Sequence, residues 1–349
     1  MADTNADKTI LLLGATGYVG GTVLTKLLAM KVHPGIVTLV RDAEKAEKLK
    51  SFGAEPVVGP MSDTALLQRL ASEADVIFSI ANSDDMPAAK ALLAGAKIRF
   101  EKTGKKTKFI HTSGGAVIAD LTSMGTNSSS PIWDDLNLEQ LATIRPEALH
   151  RDVDLEIIGA DTAGYTNSYI VVPSLVWGLA RTPLVDAGVQ RSIKGILPFF
   201  IPSAIARGQG GFVGEGKNVV STVEVHELAD LFILLYNTIS DPATIARAGH
   251  GHEGIYFAEN GAVSVRQLAE FISRALVAEG RGKSVEATRF TEQELKDMFP
   301  VPFYATVLGA DAKVTARRAR ETLGWKPKLS IEELSVSVEE LTKNYLKAA

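Results

Sequence analysis

There is no cysteine among the 349 residues. Disulfides, cysteine nucleophiles and thiolate metal sites are therefore excluded, and no bound metal is expected. Charge of either sign is not in large excess: 41 acidic against 37 basic side chains leaves −4, so nothing draws the whole molecule to nucleic acid or an anionic membrane. Long apolar runs are lacking too. The most apolar, Leu228 to Tyr236, is too short for a bilayer and is broken by Asp230. Met1 to Lys8 has no apolar stretch and carries acids, so it is read as a short loose tail and not as a signal peptide. The expectation is a soluble cytoplasmic protein with no nucleic-acid or membrane partner. Its length allows one large core or two modest ones.

What is present begins with Thr9-Ile10-Leu11-Leu12-Leu13, a strand, followed at once by Gly14-Ala15-Thr16-Gly17-Tyr18-Val19-Gly20 and a helical run from Thr22 to Leu28. The glycines fall three apart, and each position has a physical use. Gly14 allows a sharp turn, Gly17 lets backbone approach a pyrophosphate, and Gly20 lets the helix pack closely. The phosphates then meet N–H groups at the positive end of the helix. A strand before and a helix after supply the context that a bare glycine pattern lacks.

Strands and helices then alternate. Ile36–Val40, Glu55–Val58, Asp75–Ile80, Lys108–His111 and Ser168–Val172 read as strands. Ala43–Ser51, a helix capped by Asp63 with Ala65, Leu66, Leu67 and Leu70 buried, and Ala88–Thr103 read as helices. Such alternation gives right-handed crossovers and a doubly wound parallel sheet, with ligands beyond the carboxyl ends of the strands. The residues just after each strand are therefore the informative ones. Arg41-Asp42 follows the second. Arg41, helped by Lys45, suits the 2′-phosphate of NADP; Asp42 pointing inward would favour NAD, and Arg41 could also be a solvated strand end. Ala81-Asn82-Ser83 follows the fourth strand and is suited to lie beside a ribose. Thr112-Ser113 follows the fifth, where a hydroxyl would face a nicotinamide or simply satisfy a turn.

From Gly14 to Pro327 the chain resembles the extended and atypical short-chain dehydrogenase/reductases, including NAD-dependent epimerase/dehydratase-like and NmrA-like proteins. Four features in order carry the resemblance: the glycine turn; Val172-Pro173-Ser174-Leu175-Val176-Trp177-Gly178; Val225-His226-Glu227-Leu228-Ala229-Asp230; and Ala312-Lys313 through Arg317-Arg318-Ala319 to Leu323-Gly324-Trp325-Lys326-Pro327. It implies a Rossmann-type NAD(P)-binding domain from 1–178 and 213–258 and a smaller discontinuous substrate domain from 179–212 and 259–349. Pro173 and Val176 would lie against the nicotinamide. The apolar stretch Ile196–Pro202 is either a wall over the substrate or a core helix. Helices are expected at Val265–Leu276 and Ile331–Leu346. A small-molecule substrate is implied, and whether the chain forms a homodimer stays open.

The family's Tyr-x-x-x-Lys pair is missing: Tyr165 is followed four residues on by Tyr169. His150 and Asp154 have the one-turn spacing and stand about where the pair belongs. Two readings follow. In one, His150 is the acid/base, oriented by Asp154, with Ser113 or Thr112 as a supporting hydroxyl. In the other, NADP (or NAD) is bound without chemistry, as in a sensor or regulatory interaction protein. Gly114 holds the position of the family serine. His111 is read as a core residue, Trp133-Asp134-Asp135 as a lid or a solvated insertion, and Lys102–Lys108 as a solvated turn.

Overall fold

The structure is a computed structural model and describes residues 9–31, 34–299 and 301–348. The tail expected at Met1 to Lys8 lies outside them. Seven strands form one parallel sheet: β1 (Thr9–Leu13), β2 (Gly35–Val40), β3 (Glu55–Val58), β4 (Val76–Ser79), β5 (Thr107–Thr112), β6 (Thr166–Pro173) and β7 (Ile255–Ala258). Their order across the sheet is β3-β2-β1-β4-β5-β6-β7, with every pairing parallel. This is the doubly wound order, reversing direction between β1 and β4, with one strand added at the β6 edge. Buried runs such as Ile10-Leu11-Leu12-Leu13 suit strands covered on both faces.

Helices α1 (Tyr18–Leu28), α2 (Ala43–Ser51), α3 (Thr64–Glu73), α4 (Met86–Thr103), α5 (Arg151–Thr162) and α6 (Val225–Ser240) cover the sheet. Val23, Leu24 and Leu27 of α1 share one core with Leu228, Leu231 and Phe232 of α6. Leu67, Leu92 and Ile157 of α3, α4 and α5 fill the other face. In α3 the buried side chains are Leu67, Leu70 and Ala71; Ala65 is exposed and Leu66 half-buried, because only one stripe of a surface helix can face the sheet.

A second lobe has its own core. It gathers Trp177, Phe200 and Ile201 with Leu268, Ile272, Leu334 and Val338. A small sheet, in which Val219–Glu224 pairs with Leu175–Trp177 and with Ala262–Ser264, links the lobes. The stretch 259–349 is divided between the cores: Val314, Ala316, Leu323 and Trp325 pack with the first. Two elements of the resemblance meet there, as the Trp325 indole donates to the carbonyl of Glu227. Ile196–Pro202 lies largely within a core helix, Leu197–Arg207, with Leu197, Phe200 and Ile201 buried.

Trp133-Asp134-Asp135 is neither a lid nor a solvated insertion. Ile132–Asp134 is a strand paired parallel to Lys313–Thr315. Asp135 is fully buried, and its carboxylate accepts from the N–H groups of Phe257 and Arg318 at 2.9 and 2.8 Å. Those bonds satisfy buried donors beside the edge strand β7 and tie the C-terminal stretch to it.

Candidate functional site

A groove of about 950 Å³ runs across the carboxyl ends of β1, β2, β4 and β5, within the usual size of a cofactor cleft. Gly14, Thr16, Gly17, Tyr18, Val19, Gly20, Arg41, Ala81, Asn82 and Thr112 all line it. Gly14 has φ +98°, a conformation that side chains rarely adopt. A Cβ at Gly20 would lie 2.3 Å from the Gly14 carbonyl oxygen, so Gly20 lets the helix pack against the turn itself. No side chain caps α1, and its first-turn N–H groups are left for a ligand. Thr112 Oγ1 is buried without a partner among the described residues, an unsatisfied hydroxyl in the groove wall. These features fit a dinucleotide.

Arg41 is exposed at the rim. Asp42 lines the groove as well; its Oδ1 caps α2, accepting from Glu44 and Lys45 N–H at 2.9 and 3.1 Å.

The groove continues into a cavity of about 410 Å³, with Tyr18, Val19, Ser113 and Lys194 lining both. Pro173, Val176 and His150 line the cavity alone. His150 precedes α5 in the left-handed region, with φ +70°, a costly conformation for a non-glycine residue. It turns the imidazole away from the helix face. Nδ1 lies 2.6 Å from Asp84 Oδ1 and 3.1 Å from Ser83 Oγ. A Cβ on Gly114 would meet Nε2 at 2.9 Å, so the ring occupies the space that a serine at 114 would need. The expected pairing of His150 with Asp154 is therefore corrected. One-turn spacing brings side chains together only when both residues are helical, and His150 stands outside the helix.

Asp154 points inward. Ser113 Oγ donates to its Oδ2 at 2.9 Å, while Oδ1 has no hydrogen-bond partner among the described residues. Burial pushes the carboxyl up to about 7, against the lowering effects of Ser113 and Arg151. His111 lies 3.9 Å away and is buried, as read from the sequence; burial lowers it to about 3, so it is neutral and the contact is not an ion pair. The consequence for stability has a definite sign. Between the ordinary 3.8 and about 7, folded Asp154 keeps a proton that the unfolded chain releases. Its contribution is thus full below pH ~4, is lost as pH rises to ~7, and stays lost above that. Asp154→Asn keeps an acceptor for Ser113 but does not ionise. Denaturant titrations at pH 5 and pH 8 should show a smaller loss of stability for the variant, by on the order of 2 kcal/mol; parallel losses would overturn this.

Several residues of the site escaped the sequence reading. Asp84 follows β4 but gives no sign of reaching the histidine before α5, and Ser83, read as lying beside a ribose, contacts that histidine too. Lys194 and Arg191 come from the second lobe and stand over the groove, with the Arg191 N–H donating to the Thr16 carbonyl at 3.2 Å. A third concavity, of about 640 Å³ beside Leu341 and Tyr345, shares no lining residue with the groove or the cavity.

The sheet order and groove define a Rossmann-type protein. Residues 6–104 match the NmrA-like family. The Oxidase ucsJ of an Acremonium species is 27% identical over 347 residues, covering 95% of this chain and 97% of that protein. A 4-hydroxy-2-methyl-3-oxo-4-farnesyl-3,4-dihydroquinoline-1-oxide ketoreductase of Stigmatella aurantiaca is 24% identical over 275 residues, covering 76% and 72%. Among solved structures, the UDP-glucuronic acid 4-epimerase of Bacillus cereus, in complex with UDP-glucuronic acid and NAD, superposes with a TM-score of 0.63 at 15% identity, covering 97% and 99%. No described helix is long and apolar enough to cross a membrane.

Proposed function

We propose that this chain is an NADP(H)-dependent oxidoreductase of the short-chain dehydrogenase type, acting on a small carbonyl compound or secondary metabolite. The observation that carries the reading is His150, held by Asp84 at a cavity that shares a wall with a dinucleotide-sized groove. The oxidase and ketoreductase among the relatives support the reaction class. Gly14, Gly17, Gly20, Thr16, Ala81, Asn82 and Thr112 would hold the cofactor, with Arg41 on the 2′-phosphate and Pro173 and Val176 against the nicotinamide face. Bound there, the nicotinamide supplies a hydride or takes one up.

His150 then manages the proton. In reduction Nε2–H gives it to the substrate oxygen; in oxidation Nε2 takes it from the substrate hydroxyl. Nδ1–H donates to the Asp84 carboxylate, which fixes the ring and offsets its charge. Asp84, 56% exposed, connects the pair to solvent. Ser113 is turned toward Asp154 and supports the wall of the site.

Calorimetric titration with NADPH and NADH, followed by cofactor consumption on a panel of carbonyl compounds, tests the proposal. NADPH should bind more tightly than NADH, and Arg41→Ala should erase most of a roughly ten- to hundredfold gap, the equivalent of about 1.5–3 kcal/mol. Equal affinities in the parent protein would reject NADP. Tight binding without turnover on any carbonyl would leave the sensor reading in its place.

A further inference from the structure

We infer that the substrate is a neutral carbonyl compound with an extended apolar body, and not a nucleotide-activated sugar. The inference rests on the oxidoreductase reading above and adds the substrate class. Beyond His150 the cavity walls are mostly apolar: Ile118, Leu121, Leu175, Ile196, Val307 and Val314. Ser221 is already engaged, accepting from the Val314 N–H at 3.0 Å and donating to its carbonyl at 3.4 Å. Apart from His150, Lys194 is the one ionisable cation in the lining, and it stands where cavity and groove meet. A nucleotide diphosphate carries two adjacent charged phosphates, and burying them without paired donors is costly. Among the described residues the cavity interior adds only Ser174, a single uncharged hydroxyl that cannot pair two phosphates.

The apolar surface also continues outward. Val307 lies on the helix Pro302–Gly309. Phe303 and Tyr304 are one turn before it, on the same face. Phe199 is likewise one turn beyond Ile196. Phe199 and Tyr304 stack with ring centroids 4.5 Å apart, yet Phe199 and Phe303 are 46% and 45% exposed. Exposed aromatic surface contiguous with a cavity marks a binding face, and here it gives the far end of a long ligand somewhere to lie.

The experiment uses the full chain loaded with NADP+, titrated by calorimetry with 2-acetylnaphthalene, its 6-decyl derivative and UDP-glucose. Both ketones should bind, the decyl derivative at least tenfold more tightly, while UDP-glucose should not. Val307→Trp fills the cavity and should weaken both ketones at least tenfold with NADP+ affinity unchanged. Phe199→Ser, at an exposed position, should weaken the decyl derivative alone. Stronger binding of UDP-glucose, or ketone binding indifferent to Val307→Trp, would overturn the inference. Failure of every probe in a protein that binds NADP+ would overturn it too and leave the cofactor site standing; failure to bind NADP+ would remove the underlying reading itself.

Discussion

Gly17→Val should bind NADPH at least a hundredfold more weakly than the parent while keeping its fold. The two halves of this expectation come from different observations. Gly17 has φ −83° and ψ 169°, extended backbone that valine adopts readily, so the turn needs no distortion. A Cβ there sits 3.0 Å from the Gly14 carbonyl oxygen, a tight contact that small shifts can absorb. The valine methyls then stand in the groove at the start of α1, where phosphates must approach the N–H groups. Losing two charge-assisted bonds of about 1.5–3 kcal/mol each more than accounts for a hundredfold. Calorimetry with NADPH reads the first half, and a thermal melt within a few degrees of the parent reads the second. Undiminished binding would place the nucleotide elsewhere.

Replacing His150 should have the largest effect on chemistry. Asparagine is the suitable substitute because it tolerates the left-handed backbone found there, which phenylalanine would strain. His150→Asn removes the proton donor without changing the groove. Turnover should fall by about 10²- to 10⁴-fold, the usual worth of a positioned acid or base, with NADP+ affinity preserved. Asp84→Asn leaves a hydrogen-bond acceptor but no charge and should cost about tenfold. Turnover that survives His150→Asn would reject the histidine and point to water, since neither Tyr165 nor Tyr169 lines the groove or the cavity.

The groove was legible because its determinants are local. Strand, glycine turn and helix lie within Thr9–Leu28, and the groove is lined by residues that immediately follow strands. The same logic gave six of the seven strands. β7 was missed because residues 174–254, and not a single crossover helix, separate Ile255–Ala258 from its partner β6. The surroundings of His150 were misread for a different reason. Spacing put His150 and Asp154 on one helix face, but a single left-handed residue sends the ring to Asp84. That switch leaves no periodic trace. Its one local sign is Gly114, whose missing side chain makes room for the ring. Asp135 was hidden likewise: in sequence it reads as part of a polar loop, and only pairing with Lys313–Thr315 buries it.

The late arrival of β7 bears on how the molecule is made. Its pairing with β6 must wait until residues 174–254 have been synthesised, and the pairing of Ile132–Asp134 with Lys313–Thr315 must wait longer still. Contacts so distant along the chain slow folding, because a large loop is closed before any bond repays it. Until then β6 presents an unpaired edge built from Tyr-Ile-Val-Val, a surface to which other nascent chains can add. A ribosome-bound chain ending near residue 250 would therefore be the species most in need of a chaperone.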